Sequence, residues 1–141
     1  MESKPHVHVT AGLIWRQDGC LLITRRPEGR HLSGYWEFPG GKQEGHESLE
    51  DCIAREIKEE LGLKIKVARH LLSVPYEYET RQITLHVFNC FSVEGQPQSL
   101  EGQEIRWIRL DEFSRYVFPP ADRQVIEFLM HSASLSRHRK S

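Results

Sequence analysis

GKQEGHESLEDCIAREIKEELGL, residues 41–63, places Gly41, Glu47, Arg55, Glu56, Glu59, Glu60 and Gly62 at fixed intervals around one helical pattern. Ser48 followed by Asp51 has the form of an N-terminal capping pair, and no Gly or Pro interrupts Leu49 to Leu61. Gly62 stands where a left-handed stop belongs, so the stretch predicts a helix bounded at both ends. At about 100° per residue, Leu49, Ile53, Ala54, Ile57 and Leu61 form one apolar stripe, with Glu56, Glu59 and Glu60 along its edge. Glu60 projects between Leu49 and Ile53, into the face that must pack on the core, and a carboxylate there is costly unless something compensates its charge. A plain solvated edge, with Arg55 and Lys58 pairing their neighbours, is the bland alternative. Against it, like charges at i, i+3 and i+4 repel by a few tenths of a kcal/mol each, and a hard dication reverses that repulsion. Mg²⁺ takes oxygen ligands and commonly binds through a few carboxylates together with substrate phosphates.

Working outward, the segment from Arg25 to Gly41 is long for a loop. It carries Gly29, Gly34, Gly40 and Gly41 among Arg25, Arg26, Arg30 and His31, where glycine permits close backbone approach and arginine forks match phosphoryl oxygens. Trp36 and Phe38 read as core or pocket wall. Strands are expected at His6–Trp15, Cys20–Arg25, Ile65–Tyr76, Gln82–Val93 and Glu104–Arg109, with turns at Gln17–Gly19 and Glu94–Pro97. A second helix is expected from Ala121 to about His131, since Val125, Ile126, Leu129 and Met130 recur at helical spacing after Pro119-Pro120. Mixed strands and helices with no internal repeat predict an α/β (α+β) class in one domain, residues 1–132. The polar basic end, 133–141, is expected to be disordered.

Composition narrows the function classes. A 141-residue chain of net charge −1 suits one domain with a real core and gives no electrostatic case for a nucleic-acid or membrane partner. No window approaches a membrane span and the N-terminus lacks an apolar leader, so a cytoplasmic protein with small-molecule partners is expected, as a monomer or homodimer. Cys20, Cys52 and Cys90 form no C-x-x-C pair and read as small buried side chains in a reducing compartment, not as nucleophiles.

The pattern Gly41-x5-Glu47-x7-Arg55-Glu56-Ile57-x-Glu59-Glu60-x-Gly62-Leu63 resembles the signature box of the Nudix hydrolases at every defined position. LLITRRPEGRHLSGYWEFPGGK before it, and ITLHVFNCF, EGQEIRWIRLDEF and FPPADRQVIEFL after it, narrow the likeness to the MutT-like branch, over roughly residues 6 to 130. The resemblance implies an α/β/α sandwich around a mixed sheet and Mg²⁺-dependent hydrolysis, with Mn²⁺ as a substitute. The substrate implied is a nucleoside diphosphate linked to another moiety. It further implies Glu56, Glu59 and Glu60 as metal ligands, joined by the Gly40 carbonyl and Glu101, and Glu56 as the leading candidate for base. Arg55 would orient Glu56 or its neighbours, while Gly41, Glu47 and Gly62 shape the box. The implied substrate-binding set is Arg26, His31, Phe38, Arg81 and Asp122.

MutT-like enzymes attack the β-phosphorus and release a nucleoside monophosphate and pyrophosphate, and the resemblance implies sanitation of 8-oxo-dGTP or a related modified triphosphate. CTP or modified-pyrimidine triphosphates, ADP-ribose or dinucleotides, and a non-catalytic nucleotide-binding module are the alternatives. MutT itself has Asn after Pro-Pro-Ala, where this chain has Asp122, and the Pro-Ala-Asp pattern resembles the branch that acts on CTP and modified pyrimidine triphosphates. An ionised Asp only accepts hydrogen bonds, whereas a protonated Asp or an Asn also donates, so burial of this residue decides which base edge it can meet.

Overall fold

The computed structural model describes residues 4–27 and 34–139, with the side chains of 134–139 outside the description. In chain order it contains β1 (His6–Ile14), β2 (Leu21–Arg25), β3 (Trp36–Glu37), β4 (Gly40–Lys42), α1 (Leu49–Leu61), β5 (Lys64–Glu77), β6 (Gln82–Glu94) and β7 (Glu104–Ile108). A 3₁₀ helix (Leu110–Arg115) and α2 (Pro120–Arg139) follow. One sheet has the order β4-β1-β6-β5, with β1 parallel to β6 and the other pairs antiparallel; the second, β3-β2-β7, is antiparallel throughout.

Alternation along the strands builds two cores. Ile14, Leu22, Phe88 and Cys90 turn toward Ile53, Ile57 and Leu61 of α1. Their neighbours Leu13, Leu21, Ile23 and Val87 turn the other way, toward Val125 and Leu129 of α2 and Phe113 and Phe118. The expected α/β/α layering around mixed strands is therefore present, because successive side chains on a strand point to opposite faces. No helix among the described residues is long and apolar enough to cross a membrane.

α1 has the expected limits. Ser48 accepts the Asp51 N–H at 3.0 Å, and Gly62 at φ 66° ends the helix with its N–H on the Lys58 carbonyl. Cys52, in place of Ala54, completes its fully buried face. α2 differs from expectation: its backbone stays helical past His131 to Arg139, in a stretch that holds no Gly or Pro to stop it. The chain leaves β6 at Glu94 through Gly95, at φ 93°, without forming a regular turn over Glu94–Pro97. β3 and β4 carry no period long enough to be read from sequence, being two and three residues long.

β4 positions the site. Gly40 pairs with Ala11 and Gly41 with Thr10 of β1, and a Cβ on Gly40, at φ 157°, would lie 2.0 Å from the Thr10 carbonyl oxygen. Only glycine fits there. Gly40→Ala is expected to destabilise the protein by at least about 2 kcal/mol, whereas Gly19→Ala, with left-handed φ but nothing within 4 Å of the new Cβ, should cost about 1 kcal/mol. Denaturant midpoints compare the two, and equal costs would show that the approach of β4 to β1 is not tight.

Candidate active site

The box sequence folds around one guanidinium. Arg55 donates Nε and Nη2 to the two Glu47 carboxylate oxygens at 2.9 and 2.7 Å, and Nη1 to Glu56 at 2.9 Å and Glu59 at 3.2 Å. Nη2 also reaches the Lys42 carbonyl at 3.2 Å, beside β4. Glu47 in turn accepts the Glu44 N–H at 2.9 Å. Hydrogen bonding from Arg55 and then from that amide holds the Glu47 carboxyl down to about 2. Arg55 therefore ties the loop before the helix to the carboxylates on it, and Glu47 is a loop anchor and not a free acid.

Glu56 lies against bare backbone: a Cβ on Gly41 would come within 2.4 Å of its carboxyl group. Burial raises the Glu56 carboxyl above the usual range even with Arg55 opposing. Glu60 is displaced much further, to about 9, by burial first and then by Glu37, Glu56 and Glu101 around it, against which the Gly40 N–H works. The anomaly on the apolar stripe is thus a buried carboxyl facing three others.

Two cavities adjoin this strip. One, of about 190 Å³, is lined by Gly40, Glu60, Glu101 and Gln103. The other, of about 150 Å³, is lined by Phe38, Tyr78, Arg81 and Asp122. Arg26 and Glu37 line both, and their side chains form a fork, with Arg26 Nε 3.0 Å from each Glu37 oxygen and Nη2 2.9 Å from Oε2. Asp122 lies in the first turn of α2, and its carboxyl is pushed up to about 8. Burial is the main cause and Glu37 the next, while the Phe38 N–H and Arg26 act the other way. Near pH 7 it is chiefly protonated and offers one O–H beside one C=O. A roomier groove of about 550 Å³ between the 3₁₀ helix and α2 is walled mainly by Leu110, Tyr116, Val117, Ile126 and Met130, with Asp111, Arg123 and Glu127 among its lining.

The structure thus brings Glu60, Glu101, Gly40, Arg26, Arg81, Phe38 and Asp122 to two adjoining cavities, with the Glu56 carboxyl against Gly41 and Arg55 joining Glu47, Glu56 and Glu59. His31 lies outside the described residues. Phe38 also belongs to the core, stacked at 5.7 Å on Phe118. Cys20, Cys52 and Cys90 are free and buried, and burial raises the Cys52 thiol and pushes Cys90 up to about 12, against thiolate formation at either. Two contributors escape sequence reading. Glu37 shares a two-residue strand with Trp36 and carries no motif spacing of its own. Gln103 binds the Glu60 carbonyl at 2.9 Å and accepts the Glu101 N–H at 2.9 Å, which docks the Glu101 loop on the end of α1.

The donor set suits a hard divalent cation: neighbouring carboxylates, the backbone carbonyl of Gly40 and an acid raised by burial that needs a compensating charge. Among the described residues no three His, Cys, Asp or Glu side chains close up around a single point.

Comparison with known proteins agrees with this geometry. The profile of the NUDIX domain matches residues 10–128. The CTP pyrophosphohydrolase of Escherichia coli (strain K12) is 36% identical over 124 residues, covering 88% of this chain and 91% of that protein. The 8-oxo-dGTP diphosphatase of the same organism is 34% identical over 120 residues, covering 85% and 93%. Among solved structures, the MutT protein from Methanosarcina mazei Go1 matches with a TM-score of 0.83 at 28% identity, over 94% of this chain and 99% of that one. The E. coli ORF135 protein matches with a TM-score of 0.79 at 34% identity, over 93% of each.

Glu60 makes the metal-free protein sensitive to alkali. A carboxyl raised from 4.5 to about 9 in the fold stays protonated there while the unfolded chain ionises, so stability falls as pH rises between those values, by up to about 1.4 kcal/mol per unit. Without metal, Glu60→Gln is expected to gain on wild type by at least about 1 kcal/mol between pH 5 and 8. Chemical denaturation at the two pH values measures this, and a constant difference would contradict the burial of the charge.

Proposed function

The chain belongs to the NUDIX domain family, and on that premise we propose that it is a nucleoside triphosphate pyrophosphohydrolase. Its products are a nucleoside monophosphate and pyrophosphate, its lead substrate is 8-oxo-dGTP or a related oxidised (d)NTP, and its metal is Mg²⁺. The family acts on phosphorus-containing anhydrides with a divalent cation, and a small nucleotide is the substrate class.

The triphosphate lies along the strip from Glu60 and Glu101 to Arg26, with the base in the cavity floored by Asp122. Glu56, Glu59, Glu60, Glu101 and the Gly40 carbonyl are the groups that would hold Mg²⁺. Bound there, the cation neutralises phosphate charge and polarises the phosphorus. Glu56, lifted by burial yet hydrogen-bonded to Arg55, takes a proton from water as the water oxygen bonds to the β-phosphorus. The bond between that phosphorus and the bridging oxygen breaks, and the oxygen leaves on the nucleoside monophosphate. Arg55 holds Glu56 in line, and Glu47 holds Arg55.

The observation that favours a 6-oxopurine is the buried Asp122, and the 34% identity to an 8-oxo-dGTP diphosphatase is what favours its oxidised form. Held neutral near pH 7, it presents a donor beside an acceptor, as an asparagine amide does, and so can meet the O6 and N1–H of an oxopurine. The change from Asn to Asp after Pro-Pro-Ala is then smaller in chemistry than in letters. CTP is the second reading, favoured by the 36% identity to a CTP pyrophosphohydrolase. A comparison of kcat/KM for 8-oxo-dGTP, dGTP and CTP orders the readings, and CTP as the better substrate would displace the first.

Two outcomes check the chemistry. In ¹⁸O-labelled water the label is expected in pyrophosphate; label in the monophosphate would place attack at the α-phosphorus, and primary release of inorganic phosphate would contradict both. At pH 7, Asp122→Ala should lower kcat/KM for 8-oxo-dGTP at least about tenfold, equivalent to about 1.4 kcal/mol, while Asp122→Asn stays within about threefold. An Asn variant as poor as Ala would mean that Asp122 does not meet the base as a neutral group.

A further inference from the structure

Glu37 has no part in the box and no motif of its own, yet it stands in the wall shared by the two cavities. It is the strongest charged influence on the buried carboxyl in each of them. Its place is fixed from two sides. β3 pairs Glu37 with Thr24 of β2, and Arg26, just beyond β2, grips both carboxylate oxygens at 3.0 Å. A fork of this kind holds the Glu37 carboxylate in one orientation.

The charged and titratable groups around Asp122 come from three segments besides its own helix. Glu37 comes from β3, Arg26 from the end of β2, and Tyr78 and Arg81 from the turn between β5 and β6. Glu37 outweighs Arg26 at Asp122 although the two are paired with each other, so the clamp delivers net negative influence toward the base cavity. A surface clamp would have no reason to face a buried acid.

We propose that Glu37 is a positioning residue for substrate choice: clamped by Arg26, it sets which hydrogen-bonding form Asp122 offers to the base. The proposal rests on the reading of Asp122 as the base-contacting group. With Glu37 in place Asp122 keeps its proton to higher pH and can donate to a carbonyl; without that charge burial alone opposes ionisation, and the form that can only accept is reached at lower pH. The specificity of the base cavity then depends on a residue that touches the phosphate side as well.

Carbon-13 NMR of Asp side-chain carboxyls, with kcat/KM for 8-oxo-dGTP followed from pH 6 to 10, tests this. In wild type the Asp122 signal and the alkaline loss of kcat/KM should share a midpoint near 8. Glu37→Gln should move both midpoints down by about one unit or more, and Glu37→Asp, which keeps the charge, should restore most of the shift. In an Asp122→Asn background the alkaline loss should disappear, and Glu37→Gln should leave the profile flat. An unmoved midpoint in Glu37→Gln, with the loss still abolished by Asp122→Asn, would overturn the role of Glu37 and leave base reading by Asp122 intact. Persistence of the loss in Asp122→Asn would instead overturn base reading itself. If Glu37→Gln does not fold, Arg26→Gln serves by NMR alone: the Asp122 midpoint should rise, and a fall or no change would count against the clamp.

Discussion

Burial of the Glu60 carboxyl is the constraint on which the arrangement turns. An acid on the packing face of α1 can exist only where the backbone comes close enough to meet it, and that backbone is β4, with the Gly40 N–H directed at Glu60. β4 reaches this position because Gly40 and Gly41 have no side chains: one would strike the Thr10 carbonyl and the other the Glu56 carboxyl. The glycine pair, the helix carboxylates and the edge pairing with β1 are thus one device. Apolar replacement of Glu60 would satisfy the core and leave the cleft without this acid, which is the usual relation between stability and a functional site.

Arg55 balances the same device from the rim. Its guanidinium serves Glu47, Glu56 and Glu59 together, so carboxylates that would repel along a helix share one cation instead. Glu47 is strongly acidic as a result, while Glu56 and Glu60 are pushed the other way by burial. Acids of one composition, in one helix and the loop before it, therefore have opposite tendencies. That separation of roles comes from depth in the fold and could not be assigned from charge spacing alone.

Much of this was legible in the chain because the signals were local. Ser48, the uninterrupted run to Leu61 and Gly62 bound α1 on capping chemistry, and the five longer strands follow from apolar runs between turn residues. Glu60 stood out because it broke a helical stripe. The parts that escaped depend on contacts between distant segments. β3 and β4 are strands only because β2 and β1 pair with them. Gln103 matters because a loop after β6 folds onto the end of α1. Glu37 matters because Arg26 and Asp122 converge on it from opposite sides of the cleft. α2 outran its expected end because apolar periodicity marks where a helix packs, not where its backbone stops.

Asp122 shows how far a residue letter can mislead about chemistry. By composition it adds a negative charge to a cavity meant for a base, which argues for an amino-bearing edge and against a carbonyl. In the fold, burial and Glu37 outweigh the Phe38 N–H and Arg26, and the group becomes a donor and acceptor with the hydrogen-bonding pattern of an amide. Unlike an amide, it can lose that pattern over a narrow pH range, and the charges that set the range belong to the wall it shares with the phosphate cavity. If Asp122 meets the base as proposed, base choice is a property of the Arg26, Glu37 and Asp122 assembly. A relative that keeps the Asp but changes either partner would present the base with a different edge.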